Sequence, residues 1–242
     1  MPYKGYNILA VIPARGGSKG IPRKNLCKFD GVSLVARAVR ITKSLTWIDK
    51  VVLSTDDREI AEEGRKYGAE VPFLRPSKLA GDTSKSVDVW RHALIEAEKY
   101  YNTSFKISIL LEPTSPFREP RHVEEVVKKL VVGGYDSVLT VSETDSKNHP
   151  LKQMVIKDKH VGYYEEVGRS IIARQQLTPV YHRNGVAYAI MRKCLVEQKT
   201  IIGPNTSAVV IDGPLVNIDT EFDFKLAEYL LKNKSEEKNI IK

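Results

Sequence analysis

The sequence predicts an α/β fold, a mostly parallel sheet with helices on both faces, and three observations carry that expectation. Short continuous apolar runs recur at Ile8–Pro13 (ILAVIP), Lys50–Ser54 (KVVLS) and 107–111 (ISILL). Strands buried on both faces read this way, whereas a one-faced strand alternates apolar with polar. Segments with apolar residues at helical spacing lie between these runs, so strand and helix alternate from the first residues onward, as in a parallel sheet with crossover helices.

The elements follow in order. Residues 33–44 place Leu34, Val35, Ala38 and Ile41 on one helical stripe. After Lys50–Ser54, the cluster Thr55-Asp56-Asp57 offers N-caps to a helix over 58–67 that closes at Gly68. Residues 71–74 read as a third short strand, and 86–100 as a helix burying Val87, Trp90, Leu94 and Ala97. The strand at 107–111 is broken by Pro113-Thr114-Ser115-Pro116, then 123–132 reads as a helix and 137–141 as a strand. The polar stretch 143–181 departs from the pattern, with strand-like pieces only at 153–156 and 161–164. It is read as an insertion that leaves the sheet as a small β arm. Strands resume at 185–190 and 208–211, and a last helix at 220–232 carries Phe224, Leu226, Ala227, Leu230 and Leu231. The charged tail 233–242 is expected to fray. No repeat or linker divides the chain, so 1–242 reads as one domain.

With 242 residues, 42% apolar and 28% charged, 15 Gly and 12 Pro, the composition excludes disordered, collagen-like and disulfide-scaffold classes. No apolar run approaches the roughly 20 residues that cross a bilayer, and the apolar run near the N-terminus reads as a first strand, not a signal peptide. Cys27 and Cys194 make neither a framework nor a metal spacing, which suits a cytoplasmic protein. A formal net charge of +8 fits nucleic acid, a membrane surface or small anions. The basic residues are spread along the chain, densest in the 15–28 loop and the tail, without an RNA motif, zinc finger or basic helix. Small anions are therefore expected, with no nucleic acid and no membrane partner.

Parallel sheets bind ligands beyond the carboxyl ends of their strands, which directs attention to the loops 14–25, 54–57, 75–86 and 112–118. The first holds Ala14-Arg15-Gly16-Gly17-Ser18-Lys19-Gly20-Ile21-Pro22-Arg23-Lys24-Asn25. Glycines let backbone N–H groups approach phosphate oxygens, and the cations neutralise them. The order is neither a Walker loop nor a GxGxxG fingerprint. Such a loop also forms ordinary flexible turns; its place directly after the first buried strand favours phosphate.

This loop resembles the signature of the acylneuraminate cytidylyltransferase family, the CMP-sialic acid synthetases and their relatives for other nine-carbon acids. The resemblance continues through Ser54-Thr55-Asp56, Leu74-Arg75-Pro76, Leu79-Ala80-x-Asp82-Thr83, Pro113-Thr114-Ser115-Pro116-x-Arg118, His149-Pro150-Leu151-Lys152, Arg174-Gln175-Gln176-Leu177, Asn184-Gly185 and Ile218-Asp219-Thr220-Glu221-x-Asp223, nearly the whole chain. It implies a Rossmann-like fold of nucleotidyltransferase type and the transfer of CMP from CTP to a 2-keto nonulosonic acid, releasing pyrophosphate. Arg15 and Lys19 would hold the β and γ phosphates. Ala14, Gly16, Gly17 and Ser18 would line them, and Asn25 would take the ribose or base side. Arg75, with Ala80, Asp82 and Ser86, matches the cytosine-reading wall, although on its own Arg75 could equally make a surface salt bridge.

Asp219 is implied as the Mg2+ ligand and, with Arg15 and Lys19, as a catalytic residue; by itself Asp219-Thr220-x-x-Asp223 could also cap a helix. The family has an acid where this chain has Asn217, whose neutral oxygen would still ligate the cation beside Asp219 but with one charge fewer. On the sugar side Lys152 and Arg174 match the carboxylate-holding residues, while Thr114, Ser115, Gln175, Asn184, Gly185 and Tyr188 would face the sugar. Glu112 stands where sialic acid enzymes have Gln, removing donors and adding charge, so legionaminic and pseudaminic acids stay open as substrates. No general base stands out; His149 and His182 read as structural or substrate-facing. The arm at 143–181 resembles the family's dimerisation element, so a homodimer is implied. The rivals are a same-fold enzyme for GTP or Kdo and a nucleotide-binding module without catalysis.

Overall fold

The computed structural model describes residue 3 and residues 5–240, with side chains through residue 233. In chain order the elements are β1 (Ile8–Pro13), β2 (Lys28–Phe29), β3 (Val32–Ser33), α1 (Leu34–Ser44), β4 (Lys50–Ser54), α2 (Arg58–Lys66), α3 (Ser86–Tyr101) and β5 (Ile107–Leu110). There follow α4 (Pro120–Gly133), β6 (Ser137–Glu143), β7 (Met154–Lys157), β8 (His160–Tyr163), β9 (Tyr181–Met191), α5 (Arg192–Val196), β10 (Thr206–Val210) and α6 (Glu221–Ile240).

The main sheet runs β10-β6-β9-β5-β1-β4. β1 pairs parallel with β4 and β5, and β10 parallel with β6; β9 alone runs antiparallel, between β5 and β6. The fold is thus a Rossmann-like α/β sheet of mostly parallel strands with helices on both faces. Strand alternation sends Ile8, Ala10 and Ile12 of β1 to one face, under α1, α2 and α4, and Leu9 and Val11 to the other, under α3 and α5. Trp90 is fully buried on that second face and donates from Nε1 to Ser108 Oγ at 2.7 Å, which satisfies its one polar atom. Trp47 packs edge-to-face on Tyr3 at 4.9 Å.

This order creates the crevice. The chain leaves β1 through α1 toward β4, then crosses by α3 to β5 on the other side of β1. The loops after β1 and β5 therefore diverge, and a topological switch point of this kind opens a cleft at the strand ends.

Three expectations need correction, while the expected β arm at 143–181 is present. Residues 71–74 form no strand: only Glu70 bridges to Val52, exchanging bonds with Val51 and Leu53 at 2.8 and 2.9 Å. The next inward-facing donor position is Pro72, which has no N–H. The 185–190 strand is longer, reaching Tyr181 and Met191, and pairs along β6 as far as Glu143. In the 143–181 stretch β7 and β8 form a two-stranded hairpin turning at Asp158 and Lys159, both at positive φ. The last helix runs past 232 to Ile240, where fraying was expected; 241 and 242 lie outside the described residues. Its Phe224, Ala227, Leu230 and Leu231 pack on Ile21, Phe29 and Leu34, whereas Leu226 lies on the exposed side.

Both cysteines are free. No helix among the described residues is long and apolar enough to cross a membrane.

Candidate active site

A cavity of about 550 Å3 opens at the carboxyl ends of β1 and β5. Three segments line it: the loop after β1 (Arg15, Ser18, Lys19, Gly20, Lys24, Asn25), the connection from β4 to α3 (Arg75, Asp82, Ser84, Ser86), and the end of β5 (Glu112, Pro113, Thr114). Asp219, from the segment before α6, closes it. Most of the expected nucleotide and catalytic residues thus come together, from positions far apart in the chain.

The loop after β1 is held from behind. Ala14 is buried and donates its N–H to Ser54 O at 2.9 Å. Gly16 donates to Asp56 Oδ1 at 3.0 Å, so the Gly16 amide, expected on phosphate, is engaged by the protein itself. A Cβ on Gly16 would lie 2.7 Å from Asp57 Oδ2, whereas Gly17 has open space. Buried Asn25, which lines the cavity on the side expected for ribose or base, donates to Arg15 O at 2.9 Å and braces the loop. Residues 54–57 do not line the cavity; Ser54 holds Ala14 and the lining Arg75, and Asp56 and Asp57 hold Gly16 and Arg23 of the loop. Asp57 caps α2 through Glu59 and Ile60 and pairs with Arg23 at 2.7 Å.

Three ion pairs, on two carboxylates, dominate the cavity electrostatics. Asp82 accepts from Arg15 at 2.9 Å and from Lys19 at 2.6 Å, so its carboxylate occupies two of the loop's cations. Their charges hold Asp82 below the ordinary carboxylate range, the Lys19 hydrogen bond contributing most. Across the cavity Lys24 pairs with Asp219 Oδ1 at 2.7 Å. Asp223 takes the cap role, accepting from Asp219 N at 3.1 Å and Thr220 N at 2.8 Å, which leaves the Asp219 side chain for Lys24 and the cavity. Arg75 is buried, with Nε on Ser54 Oγ at 3.1 Å, and burial pushes its pKa down to about 10.

The sugar-side candidates divide. Glu112 and Thr114 line the cavity. Ser115 donates to Asn184 O at 3.4 Å, and the buried Asn184 side chain is committed to Thr140, Val186 and Ser142 at 2.6, 3.1 and 3.0 Å. Asn184 therefore ties β9 to β6, where a sugar contact was expected. Gly185 has φ 72° and lies against Glu112. Tyr188 is buried, its hydroxyl pKa raised by burial and then by the Glu112 charge. Lys152, Arg174 and Gln175 are exposed on the arm and are not among the residues lining this cavity. Asn217 is exposed two residues before Asp219. His149 has both ring nitrogens engaged, by Leu151 N and Thr178 O at 3.1 and 3.0 Å; His182 bonds Thr144 Oγ1 at 3.0 Å.

Sequence reasoning missed two residues. Lys24, inside the glycine loop, is the partner of Asp219. Arg118, inside the Pro113–Arg118 motif, is a fully buried clamp: Nε donates to Val186 O, and Nη2 to Glu112 O at 2.5 Å and Gly185 O at 3.2 Å. Burial lowers its pKa to about 10. Each stood within a quoted motif; no local signal says what either would touch.

The cytidylyltransferase family profile matches residues 9–232. The chain belongs to the cytidylyltransferase family. It is 32% identical over 237 residues to the CMP-N,N'-diacetyllegionaminic acid synthase of Legionella pneumophila, covering 93% of this chain and 96% of that one. It is 32% identical over 226 residues to the pseudaminic acid cytidylyltransferase of Campylobacter jejuni, with the same coverages. Among solved structures, a CMP:2-keto-3-deoxy-manno-octonic acid synthetase complexed with CTP superposes with a TM-score of 0.68 at 16% identity, covering 94% and 99% of the two chains. That likeness supports the fold. For this cytidylyltransferase, the fold's cleft and the cation-lined cavity coincide.

Proposed function

We propose that this cytidylyltransferase transfers CMP from CTP to the 2-hydroxyl of a nine-carbon 2-keto sugar acid, releasing pyrophosphate. The observation that carries this is the Asp82 carboxylate held between Arg15 and Lys19, an anion occupying the cradle that the triphosphate would fill. The names and identities of the two bacterial relatives support the sugar class.

On this reading Arg15 and Lys19 release Asp82, grip the β and γ phosphates and neutralise the leaving pyrophosphate. Arg75 and the loop through Ala80 and Ser86 form the base wall. The sugar hydroxyl attacks the α-phosphorus in line, so that its bond to oxygen forms as the bond to the β-phosphate oxygen breaks. Catalysis is then mostly positioning and charge neutralisation. A divalent cation, Mg2+ in this proposal, fits the donor set: Asp219 is an oxygen ligand beside the expected phosphates, with Lys24 on its other oxygen. When bound, Mg2+ would supply charge neutralisation on the triphosphate.

The arm at 143–181 exposes Met154, Ile156, Val161, Tyr164, Val167 and Ile172, more apolar surface than a solvated arm needs. A homodimer built on it would bury these side chains and bring the arm's Lys152, Arg174 and Gln175 toward a neighbouring site.

The test is pyrophosphate release with Mg2+, pairing CTP, GTP, UTP or ATP with N-acetylneuraminic, legionaminic or pseudaminic acid or Kdo. Release is expected with CTP and one nine-carbon acid. Lys19→Ala and Asp219→Ala should each lower kcat/KM by about 10²-fold, the scale of one lost charge-stabilising group. No release with any pair, despite CTP binding, would leave only a nucleotide-binding module.

Asp82 gives a second result of opposite sign. Asp82→Asn removes the internal competitor of the triphosphate, and exposed ion pairs are weak and readily exchanged. The calorimetric Kd for CTP should therefore fall a few-fold. A rise in Kd would instead make Asp82 a ligand of the nucleotide.

A further inference from the structure

Glu112 is a partly buried carboxylate that the protein leaves unpaired. Among the described residues its side chain has no hydrogen bond and no ion pair, although Arg118 donates to its main-chain oxygen. The charges of Arg118, Arg183 and Lys24 reach it without contact, and burial together with nearby Asp219 raises its pKa. A carboxylate half withdrawn from water and left without a partner favours a cation in the cavity it lines.

The surroundings say what compensates it. A Cβ on Gly185 would lie 2.7 Å from Glu112 Oε2, 3.0 Å from Ser115 Oγ and 3.5 Å from Asn217 Nδ2. The carboxylate, a hydroxyl and an amide thus converge over a glycine whose missing side chain makes the room. Glu112 and Asp219 line the same cavity and interact electrostatically, repelling each other as two carboxylates must. No three acidic, His or Cys side chains converge among the described residues, so the chain offers no closed metal cage. A hard divalent cation held by one or two carboxylates and completed by substrate phosphates needs no such cage.

We propose that Glu112 is the second carboxylate of the cation site, acting with Asp219 across the Asn217 amide, and that the site is completed only when the triphosphate of CTP is bound. Glu112 then supplies from the end of β5 the negative charge that Asn217 lacks, and Arg118, clamping the Glu112 main chain to β9, fixes its position. The inference rests on the reading of this cavity as the CTP site.

Calorimetric binding of CTP, without sugar acid, tests it in saturating Mg2+ and in EDTA. The ratio of the two dissociation constants measures the coupling between metal and nucleotide, and it is independent of turnover. In Glu112→Gln the ratio should fall about tenfold, the scale of disturbing a metal site by one group. CTP affinity in EDTA should be unchanged or tighter, because an anion beside the triphosphate has gone. Adding Asn217→Asp should restore most of the ratio by returning a carboxylate to the same spot, which a merely misfolded variant could not do.

An unchanged ratio in Glu112→Gln would overturn the proposal. So would a ratio that stays low in the double variant, or an effect confined to the KM of the sugar acid, which would make Glu112 a sugar contact. Failure of the wild-type protein to bind CTP in either condition would instead sink the CTP reading, and this inference with it.

Discussion

Substituting Gly20 by alanine should abolish nucleotidyl transfer while leaving the chain folded enough to purify. An alanine Cβ at this position would lie 2.1 Å from the main-chain oxygen of Asp219 and 3.3 Å from its carbonyl carbon. The obstacle is backbone, so no side-chain rotation relieves it; the loop after β1 and the segment before α6 must separate. That movement pulls Lys19 and Lys24 away from Asp219 together. Displacing one reacting group by about 1 Å costs about 10²-fold, and two are displaced here, so kcat/KM should fall at least ~10³-fold. Gly17, in the same loop with open space around it, is the control: Gly17→Ala should keep most of the activity. Equal losses in both variants would mean that the loop needs backbone freedom throughout, and that its close approach to Asp219 has no special weight.

Replacing Arg118 by methionine should give the largest loss of stability. The guanidinium is fully buried and serves the carbonyls of Glu112, Gly185 and Val186. Methionine keeps the apolar stem and takes this donor from Gly185 O and Val186 O, while Glu112 O retains only Ser115 N at 3.3 Å. Breaking such a buried charged network costs about 3–5 kcal/mol, or about 10 °C in Tm for a chain of this size. The clamp also joins the end of β5 to β9, so activity should fall even where the variant remains folded. Arg118→Lys should recover only part of the loss, since one ammonium cannot span the three acceptors of a planar fork. A Tm within about 2 °C of wild type, less than 1 kcal/mol, would show that water satisfies those carbonyls.

Much of the architecture was legible because it is local. Apolar runs such as ILAVIP mark strands buried on both faces, and Trp90, Leu94 and Ala97 recur at helical spacing on α3. Asp57 before α2 is a cap that its own neighbours complete. The placing of the glycine-rich loop after β1 followed from the ligand rule of parallel sheets, and its residues do line the cavity. The strand expected at 71–74 failed for a reason the sequence did contain, the missing N–H of Pro72. The β9 strand was legible as a strand, but not its antiparallel insertion between β5 and β6, because direction depends on which edges remain open once the rest of the sheet forms.

The sequence by itself determined the alternation of strand and helix, the composition of the phosphate-type loop and the family to which those motifs point. The tertiary structure alone decided who partners whom inside the site. Lys24 and Asp219 meet across 195 positions of chain; Asp82 reaches Arg15 and Lys19 from the far side of β4. The Gly16 amide goes to Asp56 and the Asn184 amide to Ser142. The physical reason is one of range: periodicity, caps and glycine freedom are set by a few neighbouring residues. Ion pairs and buried hydrogen bonds are set by where the closed sheet leaves each side chain, and by the cost of leaving any buried charge alone.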